Sequence, residues 1–249
     1  MKNATSFGLQ ASTYAKGRPG YPAELYSWIS ENSSGQTLVW DVGTGSGQAA
    51  QALTDYFEHI HATDVSAEQI SAASLHPKIN YLTAPAHSSG LEDNTADAIT
   101  AATALHWFAD AMFWDEVHRV AANDALFSAW TYQLPISTPE VHALFLDPIY
   151  ERIDPYWAAG NRLCMAGYTA EALNCPFPTL STPDFDAGGI WKAEQLVSFA
   201  ESWSAHFRAR KDGLQPELDD LACNFLTKFG ARDIKFSLPL SVLAARIAE

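Results

Sequence analysis

Thr37-Leu-Val-Trp-Asp-Val-Gly-Thr-Gly-Ser-Gly47 is an apolar run that ends in three alternating glycines. Its first residues read as a strand over 37–42, and a helix is expected over 47–57. Glycine has no Cβ, so the chain can turn sharply there and let a ligand approach the backbone. The first turn of the following helix aims free N–H groups and the positive end of its dipole at the same gap. A second apolar stretch, His59-Ile-His-Ala-Thr-Asp64, ends on a carboxylate. It lies about 20 residues past the first glycine, where such βαβ units hydrogen-bond ribose hydroxyls. The pair implies a cradle for a nucleoside-containing ligand.

The spacing narrows the choice. Gly43, Gly45 and Gly47 form G-x-G-x-G, whereas the dinucleotide fingerprint is G-x-G-x-x-G/A. The residue at the last position of that fingerprint is Gln48, which would crowd close packing of helix on strand. No second stretch reads as a phosphate-binding loop, so NAD(P) or FAD is the weaker expectation.

Working outward, strands are expected at 37–42, 59–64, 79–84, 96–102 and 125–131, with helices at 47–57, 67–75 and 110–121. This alternation predicts parallel strands with crossover helices on both faces of one sheet. Ser66 reads as the N-cap of the helix over 67–75. Ahead of the core, Tyr14-Ala-Lys-Gly-Arg-Pro-Gly-Tyr-Pro22 is rich in turn residues, and Pro22 opens a helix through Glu31. Residues 136–230 are dense in aromatics and prolines, with helical patterns at 138–153, 192–206 and 216–229. Inserted after a fifth strand, they are expected to cap the carboxyl ends of the sheet, where open α/β folds bind ligands. The segment Asp233 to Arg246 reads as one or two final strands, with Pro239 at a bend or edge. The organisation expected is a single domain over 1–249: a lid (1–36), a cofactor-binding core (37–135), a cap (136–230) and final strands (231–249).

The 249 residues carry 15 Lys+Arg against 29 Asp+Glu, a formal charge of −14, which repels phosphate backbones and argues against a nucleic-acid partner. Cys164, Cys175 and Cys223 are odd in number and far apart, so they suggest reduced thiols rather than a disulfide framework or zinc ribbon. No His/Asp/Glu spacing matches a metal-ligand set. Residues 1–8 lack the apolar segment of a secretion signal and no later segment reaches spanning length, so a cytoplasmic protein with no membrane partner is expected. A monomer or a homodimer fits the sequence equally.

Asp41-Val-Gly-Thr-Gly-Ser-Gly47 resembles motif I, D/E-x-G-x-G-x-G, of the class I S-adenosylmethionine-dependent methyltransferases. The lead-in from Tyr14 to Pro22, the block Ala104-Leu-His-Trp-Phe108, and Pro176-Phe177, Trp191 and Trp203-Ser-Ala205 resemble a trans-aconitate 3-methyltransferase-like subgroup. That resemblance spans nearly the whole chain. It implies a Rossmann-like α/β fold: a seven-stranded, mostly parallel sheet with one antiparallel member, helices on both faces and a helical aromatic cap. The cofactor implied is S-adenosyl-L-methionine and the partner a small-molecule methyl acceptor, by subgroup analogy an oxygen nucleophile such as a carboxylate.

By resemblance, Asp41, Gly43, Thr44, Gly45 and Gly47 would border the methionine part of the cofactor. Asp64 would accept from the ribose hydroxyls, Val65 and Ala86 would lie by the adenine, and Thr103 and Ala104 would face the sulfonium. Tyr14, Arg18 and Tyr21 would close over the cofactor, with Tyr21, His106, Trp107 and Trp130 toward the acceptor. His106 is the candidate catalytic base for a hydroxyl or amine, since histidine titrates near neutral pH; a carboxylate is already ionised and needs none. Each role has a structural competitor: Asp41 either organises the loop or meets the ligand, Asp64 either caps the next helix or binds ribose, and His106 is either a satisfied scaffold residue or a substrate contact. The chain departs from the subgroup at Ala122-Asn-Asp124, where glycines are usual before the fifth strand, and at Pro85-Ala-His87, where an acid often follows the third. Two other classes stay open: an NAD(P)-dependent oxidoreductase, and a non-catalytic S-adenosylmethionine-binding protein.

Overall fold

The computed structural model describes residues 19–248. Tyr14 and Arg18, the first two lid residues, lie outside them. The described residues form helices and ten strands: β1 (Leu38–Val42), β2 (His59–Asp64), β3 (Ile79–Thr83), β4 (Ala96–Ala102), β5 (Ala121–Tyr132), β6 (Thr179–Leu180), β7 (Phe185–Asp186), β8 (Gly189–Trp191), β9 (Ile234–Phe236) and β10 (Pro239–Ile247). The main sheet runs β3-β2-β1-β4-β5-β10-β6, and β7 also pairs with β10. The first five pair in parallel, while β10 is antiparallel to β5. This is the expected mostly parallel sheet of seven strands, with a two-residue strand added beside its last long member. The strand order reverses between β1 and β4, which opens a crevice at the carboxyl ends of both.

Helices cover both faces. On one side, α1 (Ala23–Asn32) and α2 (Gln48–Leu53) bury Leu25, Tyr26, Ile29, Ala49, Ala50 and Leu53 against Val39, Ala98, Leu126 and Trp130. On the other, α4 (Ala111–Val120) packs Phe113, Trp114, Val117 and Val120 against Trp40, Ile99 and Phe127. These four residues form one helical stripe, and Asp110 caps it by accepting from the Phe113 N–H at 3.0 Å. The third core helix, α3 (Ala67–Ala72), starts at Ser66, whose hydroxyl accepts from the Gln69 N–H at 3.2 Å as expected.

Several expected bounds shift. The helix α2 ends at Leu53, and the Thr54 hydroxyl bonds the Gln51 carbonyl at 2.7 Å. The helix α3 stops at Ala72, because Pro77 biases the residues before it away from helix and Leu75, 92 % exposed, has no face to bury. The strand β5 starts at Ala121, and the Ala122-Asn-Asp124 stretch is a bulge within it: pairing jumps from Ala96↔Ala121 to Ala98↔Leu126. Asp124 takes φ 60° there, a left-handed geometry aspartate tolerates. Arg246 pins the bulge by donating to the Asp124 carbonyl at 2.9 Å.

The cap is less purely helical than expected. Residues Pro139–Val141 lead through a π-helical turn, His142–Leu146, into α5 (Asp147–Ile153). Pro148, with no N–H to give the preceding turn, accounts for the irregularity. After α6 (Ala159–Ala166), the short strands β6, β7 and β8 intervene, and β8 pairs with β9 as a separate ribbon. The pattern over 192–206 splits into α7 (Ala193–Glu201) and α8 (Ser204–Ala209), because Trp203 is extended and the Ser202 hydroxyl folds back onto the Phe199 carbonyl at 2.6 Å. The last helix, α9 (Gln215–Phe229), matches its pattern closely.

Candidate active site

The three glycines at the crevice are needed for three different reasons. All have positive φ: 68° at Gly43, 59° at Gly45 and 84° at Gly47. A Cβ on Gly43 would meet the Ala104 Cβ at 2.7 Å and the Phe108 ring at 3.0 Å. A Cβ on Gly47 would collide with the Tyr81 hydroxyl, which also accepts from the Gln51 amide at 3.2 Å. Of the three, Gly45 faces open space, with no atom of the described residues within 4 Å of the added carbon. It leaves room for a ligand at the middle of the loop.

The loop is held from below and from one side. Asp41, fully buried at the end of β1, accepts from the Thr44 hydroxyl at 2.6 Å with one oxygen and from the Thr100 hydroxyl at 2.9 Å with the other. Both carboxylate oxygens are therefore engaged in organising the loop and tying it to β4. Asp64 accepts from the Gly45 N–H at 2.9 Å and from the Ser66 N–H at 2.8 Å. It remains half-buried beside Val65, whose side chain is 59 % exposed. A carboxylate next to an exposed apolar side chain and a bare glycine backbone suits a ribose, a flat base and a chain between them. These residues fit S-adenosylmethionine. Gln48 does not crowd the helix packing: it is exposed and its amide donates to the Pro19 carbonyl at 2.9 Å.

Burial raises the Asp41 carboxyl to about 6, against the opposing hydrogen bonds from Thr44 and Thr100. Between its ordinary 3.8 and that value the folded chain holds the proton more tightly than the unfolded one, so this group opposes folding increasingly as pH rises and is neutral in effect below 3.8. Asp41→Asn should therefore gain stability relative to wild type by up to about 3 kcal/mol between pH 4 and pH 7. Urea unfolding of both proteins at the two pH values checks this; an unchanging difference contradicts it.

The segment carrying Ala86 is tied to α4. Glu116 accepts from the Ser89 N–H at 2.7 Å and from its hydroxyl at 2.6 Å, and takes both Nε and Nη2 of Arg119 at 2.8 Å. Burial pushes the Glu116 carboxyl up, but Arg119 and Ser89 outweigh it and hold the group at about 2. Ala86 itself is half-buried against the α4-side core.

Past the loop, Thr103 follows the end of β4 at φ 52°, a left-handed geometry uncommon for threonine. Its N–H donates to the Trp130 carbonyl at 2.7 Å, and its hydroxyl meets the Tyr21 hydroxyl at 3.0 Å. Tyr21 in turn stacks on Tyr132 at 5.0 Å and meets Trp130 edge-on at 5.4 Å. The Trp130 indole is fully buried, so it shapes the site from behind, through Tyr21. A pocket, partly open to solvent, begins at Thr103 and runs under the cap between Thr131, Gln133, Tyr150, Trp157, Asn161, Cys164, Phe199 and Trp203. Thr103 thus borders the pocket, while its neighbour Ala104 packs against Gly43.

His106 and Trp107 sit in a short 3-10 turn, Leu105–Trp107, against α6. Their rings lie 4.5 Å apart, and a Cβ on Gly160 would be 3.1 Å from His106. His106 Nδ1 is 2.6 Å from the Tyr168 hydroxyl and 3.0 Å from Cys164 Sγ. Burial drives the Tyr168 phenol well above its ordinary pKa, so it keeps its proton. Its other acceptor, Cys164 Sγ, is 3.9 Å away, so the phenol donates to Nδ1 and the ring proton is assigned to Nε2. His106 reaches the pocket through Cys164, which lines it. The sequence did not single out Tyr168, Cys164, Tyr150 or Thr131 for the site; Tyr150 and Tyr168 were visible only among many cap aromatics. Among the described residues no helix is long and apolar enough to cross a membrane, and no three His, Cys, Asp or Glu are grouped to hold a metal ion.

Known proteins share this arrangement. A methyltransferase domain model matches residues 40–129, the stretch from the glycine loop through β5. A protein of Dictyostelium discoideum named as a methyltransferase is 28 % identical over 91 % of this chain and 87 % of its own length. A Saccharomyces cerevisiae protein named as an S-adenosylmethionine-dependent methyltransferase is 24 % identical over 88 % of this chain and 87 % of its own. A solved structure from Anaeromyxobacter dehalogenans, titled a type II methyltransferase, superposes with a TM-score of 0.84 at 33 % identity. It covers 93 % of this chain and 98 % of that one, so the likeness extends through the cap as well as the cradle. With its Gly45 gap, its Asp64 carboxylate and full-length kinship of this kind, the chain belongs to the class I S-adenosylmethionine-dependent methyltransferases.

Proposed function

We propose that this methyltransferase acts on an oxygen of a small molecule, a carboxylate or a comparably acidic group, in line with its resemblance to the trans-aconitate 3-methyltransferase-like subgroup. One observation carries the reading: the pocket under the cap starts at Thr103, whose neighbour Ala104 packs on the glycine loop. In this reading residues 136–230 are the acceptor cap and 1–36 the lid, with Tyr14 and Arg18 on the cofactor side. The alternative of hydride transfer with NAD(P) is not favoured.

The cradle residues Gly43, Thr44, Gly45, Gly47, Asp64 and Val65 would hold S-adenosylmethionine, with Asp41 fixing the loop. When bound, it supplies a methyl group whose C–S bond breaks as the acceptor's C–O bond forms, so a carboxylate becomes a methyl ester, the sulfonium a thioether, and no proton is released. The chain's part is alignment and exclusion of water. His106, with Nδ1 engaged by Tyr168, stands behind Cys164, shapes the lining through it and takes no proton from the acceptor. That suits a group already ionised at pH 7 better than one that needs a base.

His106→Ala should lower turnover about tenfold or more while S-adenosylhomocysteine affinity stays within about threefold. The check is methyl transfer from labelled cofactor to a panel of acids, amines and activated carbons, with products identified by mass spectrometry. Methyl esters or ethers support the oxygen reading; methylated nitrogen or carbon as the main product overturns it. Turnover unchanged in the variant removes His106 from the acceptor side.

A further inference from the structure

The pocket's lining says more about the acceptor than its position does. Tyr150 and Trp203 stack at 5.2 Å and 9°. Phe199 meets Trp203 edge-on at 5.4 Å, and Trp157 leans on it at 6.1 Å. The rings brace one another into a wall of flat faces and edges. Such a wall receives a planar ring better than a branched or flexible chain, because stacked and edge-on contacts both depend on flatness.

Two hydroxyls in the lining are buried with no hydrogen-bond partner among the described residues: Thr131 Oγ1 and the Tyr150 OH. Buried polar groups are nearly always paired in native proteins, so two orphans in one lining call for a polar partner that the described residues do not supply. Burial pushes the Tyr150 phenol far above its ordinary range, so it stays protonated and can donate. Gln133 and Asn161 add neutral amides, and the Asn161 carbonyl oxygen already accepts from the Ser204 hydroxyl at 3.1 Å. Among the described residues the lining holds no Lys, Arg, His, Asp or Glu. A second or third carboxylate would enter it unpaired, and burying an unpaired charge is prohibitive. The formal charge of −14 opposes a polyanion further.

We infer that the acceptor is a small planar aromatic acid carrying one negative charge, with its ring among Tyr150, Trp157, Phe199 and Trp203 and a second, neutral oxygen held by Thr131 and Tyr150. This rests on the oxygen reading above, but the two can fail separately.

The test compares kcat/KM for 4-hydroxybenzoate, benzoate, cyclohexanecarboxylate and propane-1,2,3-tricarboxylate, with wild type and with Tyr150→Phe and Thr131→Val. The two aromatic acids should exceed the saturated ring and the tricarboxylate by about tenfold or more. Each variant should raise KM for 4-hydroxybenzoate about fivefold while leaving benzoate and S-adenosylhomocysteine binding within about twofold, a split that general damage to the cap would not produce. Preference for the tricarboxylate, or equal losses for both aromatic acids, overturns the proposal. If no acid is methylated, quenching of tryptophan fluorescence with the homocysteine product bound decides it: aromatic acids binding above the tricarboxylate supports the pocket assignment, and equal or absent binding overturns it. Methylation of 4-aminophenol at nitrogen, with aromatic acids inert, would defeat the oxygen reading while leaving the aromatic-body assignment standing.

Discussion

Asp64→Ala should weaken S-adenosylhomocysteine binding by about 100-fold or more, equivalent to about 2.7 kcal/mol, while the protein still unfolds cooperatively. Two roles converge on this carboxylate. It accepts from the Gly45 and Ser66 N–H groups, and so ties the middle of the glycine loop to the end of β2. In the family reading it also accepts from the ribose. Loss of two such charge-assisted bonds costs the fold about 3–6 kcal/mol, within what a domain of this size tolerates. Calorimetric titration together with urea unfolding separates the effects. Affinity retained within about threefold, or about 0.6 kcal/mol, would sink the ribose assignment and leave Asp64 as a loop tie alone.

The second large effect distinguishes the glycines from one another. Gly45→Ala adds a methyl group where no atom of the described residues lies within 4 Å, so its structural penalty there is the left-handed backbone alone, about 1–2 kcal/mol. Its expected consequence is loss of cofactor affinity by about tenfold or more, because that methyl occupies the cradle. Gly43→Ala and Gly47→Ala instead drive the new carbon into Ala104 and Tyr81, and each should cost stability beyond the backbone term. Gly47→Ala combined with Tyr81→Phe should recover part of that loss, because the hydroxyl in the way is gone. Equal destabilisation by all three single variants would show that Gly45 faces no ligand-sized gap.

The local chemistry of the core was readable from the chain because each signal sits within a few residues of its effect. Three alternating glycines after an apolar run gave the turn, Ser66 gave a cap three residues from its donor, and Asp124 gave the left-handed residue before the long part of β5. What sequence could not rank was why each glycine is there. The competing atoms belong to Ala104, Phe108 and Tyr81, which are brought close only by the sheet. Gln48 was misread for a related reason: its packing depends on the lead-in at Pro19, not on the strand beside it.

The acceptor side was the least legible. The Tyr168–His106 contact spans 62 residues, and the Thr103–Tyr21 contact spans 82. The cap's aromatics have no single period, since a π-helical turn, a break at Trp203 and three short strands interrupt the pattern. Composition announced an aromatic cap, but only the fold shows that Tyr150 and Thr131 share one pocket.

The central claim is that the cradle is built for S-adenosylmethionine, and calorimetric titration of the purified chain with S-adenosylmethionine, S-adenosylhomocysteine and NADH tests it most directly. Micromolar binding of both adenosyl ligands with none for NADH is the predicted result, about −8 kcal/mol for each. Binding of NADH alone would contradict the account and move the search to hydride transfer.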